Sequence, residues 1–397
     1  MITLPTNRDE NWRYANLRPL TKARADAPPM AQAADLPPTA LLPDYQTWLY
    51  VDGRHVPHAG VPADTFATRL DASAAGTAFA SLLDESIATA GVDFALARVN
   101  AARGNEVLNI AVPDGVRTNV QVLFMARAGA ADGTSYPRLQ VSVGRNARLN
   151  LVEKHLSAAS ADSLVNAAVD VSVGAGAELT HVRLQNCAVQ ASCFDTLVAH
   201  VASGGRYALR TIALGALVSR STAFIKLAGN DARCDFVAAS VANSTQNHDF
   251  FVEIEHAAPR TATRELYRGI ATERGKLGFN GKMIVRENAH DADSDQSLKT
   301  LLNGSGAEAA VRPQLEIYTD KVRAKHGATT GKLDEQMLFY MLSRGLDRPQ
   351  AQALLQWAFV EDAISQVELT PLRQEIEQLI AAKLNEVSAL DGLVTRR

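Results

Sequence analysis

The chain has 397 residues, of which 47% are hydrophobic and 21% are charged, with a formal net charge of −3. This length and apolar content allow a large core and more than one domain, while the charge gives no general attraction to nucleic acid or an anionic membrane. The first residues, MITLPTNRDENWRY, carry charges where a signal peptide is apolar, and no run of 18 apolar residues is present. We therefore expect a cytoplasmic protein that binds neither nucleic acid nor membrane.

The first part of the chain is predicted to be largely helical. It includes a Pro/Ala-rich connection, PPMAQAADLPPTALLP, and an alanine-rich segment, GTAFASLLDESIATAG. Alanine favours helix, whereas prolines mark connecting segments. We therefore place an N-terminal helical region at residues 1–104.

The middle of the chain contains an internal repeat. The segments VSVGRNARLNLVEKH, VSVGAGAELTHVRLQ and VASGGRYALRTIALG align on Gly144, Gly174 and Gly204, which are 30 residues apart. Looser copies lie around Gly115 and Gly229. Each copy consists of a short strand, a glycine corner and a second strand with mainly alternating apolar residues.

These copies predict stacked coils, because each coil can bury its apolar face only against its neighbours. The predicted fold class is mainly β, with a parallel β-helix over residues 105–322 between two helical regions. A β-sandwich built from similar hairpins is the alternative, and turn signals about every 8–12 residues would favour it.

Several segments contain metal-ligand residue types without the spacing of a site. Cys187, Cys193 and Cys234 form no CxxC pair and fit buried thiols in a reducing compartment. His248 and His256 share one face of a predicted strand, but eight residues of strand span about 26 Å, too far for one metal ion. We expect the apolar face of that strand in the core and its acidic face in solvent. The segment ENAHDADSDQS lacks the glycine and glutamate of a calcium loop and is predicted to be a solvated loop.

The segment GATTGKL, residues 327–333, lies between a strand-like run and a predicted helix, as a nucleotide phosphate-binding loop does. Three residues separate Gly327 from Gly331, whereas that loop requires four, and Leu333 replaces the hydroxyl that binds magnesium. The spacing therefore argues against a nucleotide. His326, just before this segment, is a candidate iron or zinc ligand, but one ligand does not make a site.

Three helices are predicted after the repeats. The first runs from Asp334 to Arg344 and stops at a glycine, the second has Pro349 in its first turn, and the third follows Pro371. Apolar residues three and four positions apart give the first helix a core face. We place a C-terminal helical domain at residues 323–397, and its helices can present a docking surface.

A set of motifs, taken together, resembles the SufB/SufD family, the scaffold proteins of the SUF iron–sulfur cluster assembly system. The motifs are NWRYANLRPL, IEHAAPRT, LYRGI, FNGK, DQSLKTLL, RPQLEIYTDKV and HGATTGKLDEQMLFYMLSRGL. The similarity is strong over residues 248–365 and weaker through the repeats to about residue 105. The chain is shorter than typical SufB and has HGATTGKLDEQ where SufB tends to have HEATTSKI, so it is more similar to SufD.

The resemblance implies a right-handed parallel β-helix between N-terminal and C-terminal helical regions. It also implies a non-catalytic scaffold subunit that pairs with SufB through the β-helices and docks the SufC ATPase on its C-terminal helices. A homodimer through the β-helix edges is a further expectation. The residues expected at the ATPase-docking surface are Leu333, Asp334, Leu338, Phe339, Tyr340 and Arg344.

The resemblance also gives His326 a role. It corresponds to the family histidine proposed to help form a nascent cluster with a SufB cysteine, which makes it an expected iron ligand at the interface. No cofactor is expected to be held tightly by this chain alone, since iron or a cluster would be shared transiently with SufB. Many members have cysteine two residues before this histidine, but here Ala324 stands there, so that position supplies no thiolate.

A β-helix enzyme that acts on polysaccharide is the alternative function, because that fold often carries carbohydrate chemistry on its strand faces. Such an enzyme is expected to be secreted and to present aromatic platforms for sugars. The start of the sequence and an aromatic content of 6% disfavour it.

Overall fold

The computed structural model describes residues 3–23, 41–57, 66–71, 91–104, 106–127, 133–158 and 162–384. Within these ranges the strands alternate between two sheets, and each strand pairs with the equivalent strand of the next coil. Almost all of these pairs are parallel, which consecutive hairpins cannot produce. The chain is therefore a parallel β-helix, which confirms the predicted fold class and excludes the β-sandwich.

The two sheets interleave along the sequence. In spatial order the first contains β2 (Arg54–Val56), β1 (Gln46–Val51), β5 (Arg117–Ala126), β8 (Arg148–Ser157), β10 (Glu178–Asn186), β12 (Arg206–Ala213), β14 (Arg233–Ala242), β16 (Ala262–Thr272), β18 (Ala292–Asn303) and β20 (Val322–Gly331). The second contains β19 (Glu308–Ile317), β17 (Lys276–Val285), β15 (Asn247–His256), β13 (Val218–Leu227), β11 (Ser192–Val201), β9 (Leu164–Val173), β7 (Arg138–Val143), β4 (Glu106–Val112) and β3 (Ala67–Asp71), with β6 (Thr134–Ser135) beside β9.

The N-terminal region contains more than helix. The segment QTWLYV is rich in aromatic and β-branched residues and forms β1, which continues the first sheet as a parallel neighbour of β5. The motif NWRYANLRPL forms two short 3₁₀ turns, Glu10–Trp12 and Arg18–Lys22, and an α-helix, α1, covers Ala95–Arg103. Most of the Pro/Ala-rich and alanine-rich segments lies outside the described residues.

The N-terminal segment is fixed to the outer face of the second sheet. The indole Nε1 of Trp12 donates to Asp93 Oδ1 at 2.9 Å, and the guanidinium of Arg220 lies 4.5 Å from the centre of the Trp12 ring. Arg220 also pairs with Asp249, and all three of Trp12, Arg220 and Asp249 are buried. The predicted solvation of the whole acidic face of β15 is therefore wrong at Asp249, because the N-terminal segment covers it.

The coils are joined by a column of corner residues with left-handed backbone. Each of these residues has a φ between 53° and 73°, and its N–H donates to a carbonyl of the following coil. The column consists of Gly115, Asn146, Gly176, Gly204, Asp231, Arg260 and Asp291. Left-handed backbone favours glycine and tolerates Asn and Asp, which explains why glycine marks only part of the repeat.

The glycine alignment of the repeat is correct for two copies and shifted in the third. Val143, Val173 and Val201 are paired in successive strands, so the coil spacing falls from 30 residues to 28. Ala202, not Gly204, is therefore equivalent to Gly174. Gly174 serves a different purpose from the corner residues, since a Cβ there would lie 2.7 Å from the carbonyl oxygen of Val143.

The three predicted C-terminal helices are present as α2 (Glu335–Ser343), α3 (Arg348–Ile364) and α4 (Thr370–Lys383). Asp334 caps α2 by accepting from the N–H groups of the second and third helical residues, and Gly345 ends it with a φ of 90°. The apolar faces of α3 and α4 pack against the outer face of the first sheet. Lys154 Nζ lies 2.5 Å from Glu375 Oε2, and this ion pair joins the first sheet to α4.

Candidate functional site

The last coil of the β-helix is open. β20 ends the first sheet and β19 ends the second, so within the described residues neither strand has a neighbour on its outer edge. Nearly every residue of β20 is exposed. The segment GATTG is part of this strand, so the β-helix extends beyond residue 322 to Gly331. The backbone N–H and C=O groups along this edge are free to pair with another strand.

His326 lies in the middle of β20 and faces the inside of the β-helix. It is paired in register with Gln296 of β18, and residues paired in a parallel ladder point to the same side of the sheet. Gln296 is 1% exposed and points inward. His326 itself is exposed, because no further coil covers it, and no hydrogen bond or ion pair reaches it from the described part of the chain.

A buried carboxyl group lies one strand below Gln296. Glu265 of β16 is paired in register with Gln296 and is 1% exposed. The Nε2 group of Gln296 donates to Glu265 Oε2 and to the carbonyl oxygen of Gly281, the latter at 3.0 Å. Burial raises the pKa of Glu265 to about 8, with the hydrogen bond from Gln296 acting in the opposite direction. The site therefore contains a carboxyl group that is mostly neutral at pH 7.

Aromatic residues surround Glu265 on the side away from the open end: Phe236 is paired with it in register on β14, one coil below, and Tyr267 lies two residues along β16. The rings of Tyr267 and Phe279 stack with centroids 4.4 Å apart, and Phe250 and Phe236 contact the same pair. All four rings are buried in the core that fills the β-helix. Glu265, Gln296 and His326, which we call the mouth residues, therefore lie above an apolar floor at the open end.

A second polar group lies deeper inside the β-helix and was not recognised from the sequence. Glu153 accepts from His155 Nε2 at 2.5 Å, from His181 Nε2 at 3.0 Å and from Arg183 Nε at 3.0 Å, and Arg183 Nη1 donates to Asp195 at 2.8 Å. Burial alone would raise the pKa of Glu153, but Arg183 and the two histidines hold it well below its usual range. We call these five residues the central cluster. Both of its carboxylates pair with the single Arg183 guanidinium.

The expected ATPase-docking residues divide into two groups. Phe339 is 72% exposed and Tyr340 is 51% exposed, and the guanidinium of Arg344 lies 5.0 Å from the centre of the Tyr340 ring. Leu338 is buried, and Asp334 caps α2. Leu333 is partly buried against the cluster between the helices and the first sheet. Phe339, Tyr340 and Arg344, together with the exposed cap residue Asp334, are the members that a partner can reach.

Ala324 occupies the inward position next to His326 on β20. It is paired with Ser294, which is 1% exposed, so a side chain there points into the open end. A cysteine at this position, which the sequence resemblance leads us to expect in other members of the family, would therefore lie beside the histidine. This chain offers only a methyl group there.

The other candidate ligands do not form metal sites. Cys187, Cys193 and Cys234 are free and buried, as predicted, and burial raises the pKa of the Cys234 thiol. His248 and His256 are both buried on the inward face of β15. Across the described ranges, no three His, Cys, Asp or Glu side chains are grouped so that they could hold a metal ion.

The acidic segment ENAHDADSDQS is only partly a loop. Glu287, His290 and Asp291 lie exposed in the turn before β18, whereas Asp293 and Asp295 lie on that strand and face away from the interior. The loop prediction is wrong for the second half, because Ser294 and Gln296 alternate with these aspartates and are buried. Both faces of this part of the strand are polar, so the sequence lacks the alternation of apolar and polar residues that would reveal the inward face.

Comparison with known proteins identifies the family. A family model described as the SufBD core domain of SUF system FeS cluster assembly matches residues 124–359, more than half of the chain. The chain belongs to the SufBD family. The match covers the coils from β5 onward, both groups of buried polar residues and most of α3.

Individual SufBD relatives support the same assignment. The iron–sulfur cluster assembly protein SufD of Escherichia coli K12 is 26% identical over 96% of this chain and 89% of its own length. SufBD family protein ML0594 of Mycobacterium leprae is 28% identical over 99% of this chain and 93% of its own length. Protein ABCI7, chloroplastic, of Arabidopsis thaliana is 24% identical over 70% of this chain and 60% of its own length. This chain is thus a SufD-like member of the SufBD family and an iron–sulfur cluster assembly protein. Among the described helices, none has the length and apolar character needed to cross a membrane.

Proposed function

We propose that this SufD-like protein is a non-catalytic scaffold subunit that pairs with a SufB-like subunit at the open end of its β-helix. The observation that carries the proposal is the free edge of β20, on which the exposed His326 faces the interior. A free strand edge pairs readily with a strand of another chain, and such pairing would place a partner's residues over the mouth. Iron, or a nascent cluster, is the cargo that His326 would share with a SufB thiolate.

Docking of a SufC-like ATPase on the C-terminal helices is the second part of the proposal. The two exposed rings of Phe339 and Tyr340 lie together on α2, and exposed aromatic residues are common anchors of protein interfaces. The nucleotide would be bound by that ATPase, which agrees with the incomplete phosphate loop of this chain. Family membership leaves no observation in favour of the polysaccharide enzyme.

The decisive experiment is co-expression of this chain with SufB-like and SufC-like subunits, followed by anaerobic affinity purification and analysis of iron and sulfide. We expect a stable complex of the three subunits. His326→Ala is expected to lower its iron and sulfide content while leaving co-purification intact, and His290→Ala, an exposed histidine before β18, is the matched control. Wild-type iron and sulfide in the His326→Ala complex would remove this residue from the mechanism.

The docking surface is tested in the same purification. We expect Phe339→Ala to release the ATPase without releasing the SufB-like subunit, since loss of a central aromatic anchor costs about 2 kcal/mol or more of binding free energy. Tyr14→Ala, which removes an exposed ring at the other end of the chain, is the control. Retention of the ATPase by the Phe339→Ala protein would place docking elsewhere.

A further inference from the structure

The three mouth residues form a ladder of potential metal ligands from this chain alone. Glu265, Gln296 and His326 follow one another at the same register position on β16, β18 and β20. Adjacent strands lie about 4.8 Å apart, so the outer two Cα atoms are about 10 Å apart. Side chains that extend inward from these two positions can meet at one ion, with the Gln296 amide between them.

Two acceptor atoms of this ladder lack a hydrogen-bond partner within the described structure. They are Oε1 of Glu265 and Oε1 of Gln296, and both residues are 1% exposed. A buried acceptor without a partner costs free energy, so native proteins rarely retain one without a reason. A bound cation would satisfy both oxygen atoms.

Glu265 also differs from other buried carboxylates in its surroundings. Glu153 and Asp195 contact Arg183, and Asp249 contacts Arg220. The Glu265 carboxyl has Gln296 as its hydrogen-bond partner, and no Lys or Arg among the described residues forms an ion pair with it. A cation from outside the chain would give Glu265 the compensation that Arg183 and Arg220 give the other carboxylates.

The opposite wall of the β-helix is shaped to leave room for these groups. Gly281 of the FNGK motif faces them from β17, and a Cβ there would lie 2.9 Å from both carboxyl oxygens of Glu265 and would clash with Gln296 Nε2. The buried ring of Phe236, paired with Glu265 from one coil below, closes the space on that side. On the side of the free end, Gln296 and then His326 follow Glu265 in register.

We propose that Glu265, Gln296 and His326 bind one divalent transition-metal ion at the mouth of the β-helix, with its open coordination positions facing the free end. An imidazole, a carboxylate and an amide oxygen suit Fe²⁺ and similar ions. The identity of the ion as cargo iron rests on the proposed function, whereas the ligand set rests on the geometry. Sulfide or a partner's thiolate would complete the coordination.

The test uses Co²⁺ alone as the probe, added to the full-length chain under anaerobic conditions and followed by calorimetry and visible absorption. We expect one Co²⁺ per chain. Glu265→Gln and His326→Ala should each weaken binding by about tenfold or more, because even residues that only support a ligand contribute that much. Glu308→Gln and His290→Ala change exposed residues of the same types and should bind as the wild type does.

A second variant tests the space beside Glu265 without removing a ligand. Gly281→Ala should also weaken Co²⁺ binding, because its methyl group takes the space of the Gln296 amide. Wild-type affinity in Glu265→Gln, or the absence of Co²⁺ binding by the wild type, would overturn the site. Subunit association is measured separately by co-purification, so a complex that forms with no Co²⁺ site refutes this inference alone. A Co²⁺ site without a complex refutes the proposed function alone.

Discussion

The β-helix contains two groups of buried polar residues that differ in whether a cation of the chain pairs with their carboxyl groups. In the central cluster, Glu153 and Asp195 share the guanidinium of Arg183, and two histidines complete the hydrogen bonds of Glu153. At the mouth, Glu265 is equally buried but is accompanied only by an uncharged amide. The first group therefore has a buried cation paired with both of its carboxylates, whereas the second has no such cation among the described residues.

This difference separates a structural role from a binding role. A buried ion pair with well-placed hydrogen bonds holds the fold in one arrangement, but it leaves little for a ligand to gain. A buried carboxyl without a counter-charge lowers stability, and the cation that we propose at the mouth would supply that charge. The mouth is also where the last coil leaves the interior open, whereas the central cluster lies under several coils.

The largest expected effect is at the central cluster. Arg183→Leu leaves the carboxylates of Glu153 and Asp195 buried without their shared cation, so we expect a loss of about 3–5 kcal/mol in the free energy of unfolding. Urea denaturation measures this change. Arg206→Leu removes an exposed arginine from neighbouring β12 and should change stability by less than about 0.5 kcal/mol. If both variants lose the same free energy of unfolding, the ion pairs of Arg183 stabilise the protein no more than an exposed arginine does.

A buried neutral imidazole gives an intermediate effect that depends on pH. Burial, helped by the charge of Lys383, lowers the pKa of His248 to about 3. Because the folded-state pKa is lowered, the unfolded chain binds this proton at a higher pH than the folded chain does. The stability that the neutral imidazole contributes is therefore fully present above pH 6.5 and is lost as the pH drops toward 3. Each such group contributes at most about 1.4 kcal/mol per pH unit.

The measurement is the free energy of unfolding between pH 7 and pH 4 for the wild type and for His248→Gln. The variant should lose less stability over this range than the wild type does, even if it is less stable at pH 7. His290→Gln, an exposed histidine, should keep the wild-type slope. Equal slopes for all three proteins would mean that His248 titrates normally.

The smallest expected effect is at the mouth. Because the Glu265 carboxyl is mostly protonated at pH 7, Glu265→Gln replaces one neutral group with another and should change the unfolding free energy by less than about 1 kcal/mol. Glu153→Gln makes the same change in the central cluster and should cost more, because it removes the charge that faces Arg183. A larger loss at Glu265 than at Glu153 would reverse the comparison of the two groups.

The sequence predicted the secondary-structure elements better than it predicted which polar residues point into the β-helix. Turn residues and helix ends are local signals, so Asp334, Pro349 and Pro371 placed the three C-terminal helices correctly. His326 was recognised through the family motif that contains it. Glu265 and Gln296 were missed. Each lies at an inward position of its strand, where the alternate residues are otherwise apolar or small, but the charged residues nearby suggested that the segment faces solvent.

The central cluster was missed for the same reason. In the strands LNLVEKH and LTHVRLQ, the alternation that predicts a buried face also places Glu153, His155, His181 and Arg183 on it. A charged residue at an inward position can be recognised as buried from the sequence only if the residue that pairs with it is known. Here Arg183 meets Glu153 from the previous coil and Asp195 from the other sheet, and neither relation is local in sequence.

The sequence by itself determined the repeating strand and corner pattern, the helix ends and the family motifs, because these depend on backbone preferences and on neighbours a few residues away. The tertiary structure decided which residues share a column, since coil lengths vary and only the pairing of strands fixes the register. It also decided that no described segment covers the last coil. His326 was visible in the sequence, but only stacked coils show that Gln296 and Glu265 lie beneath it.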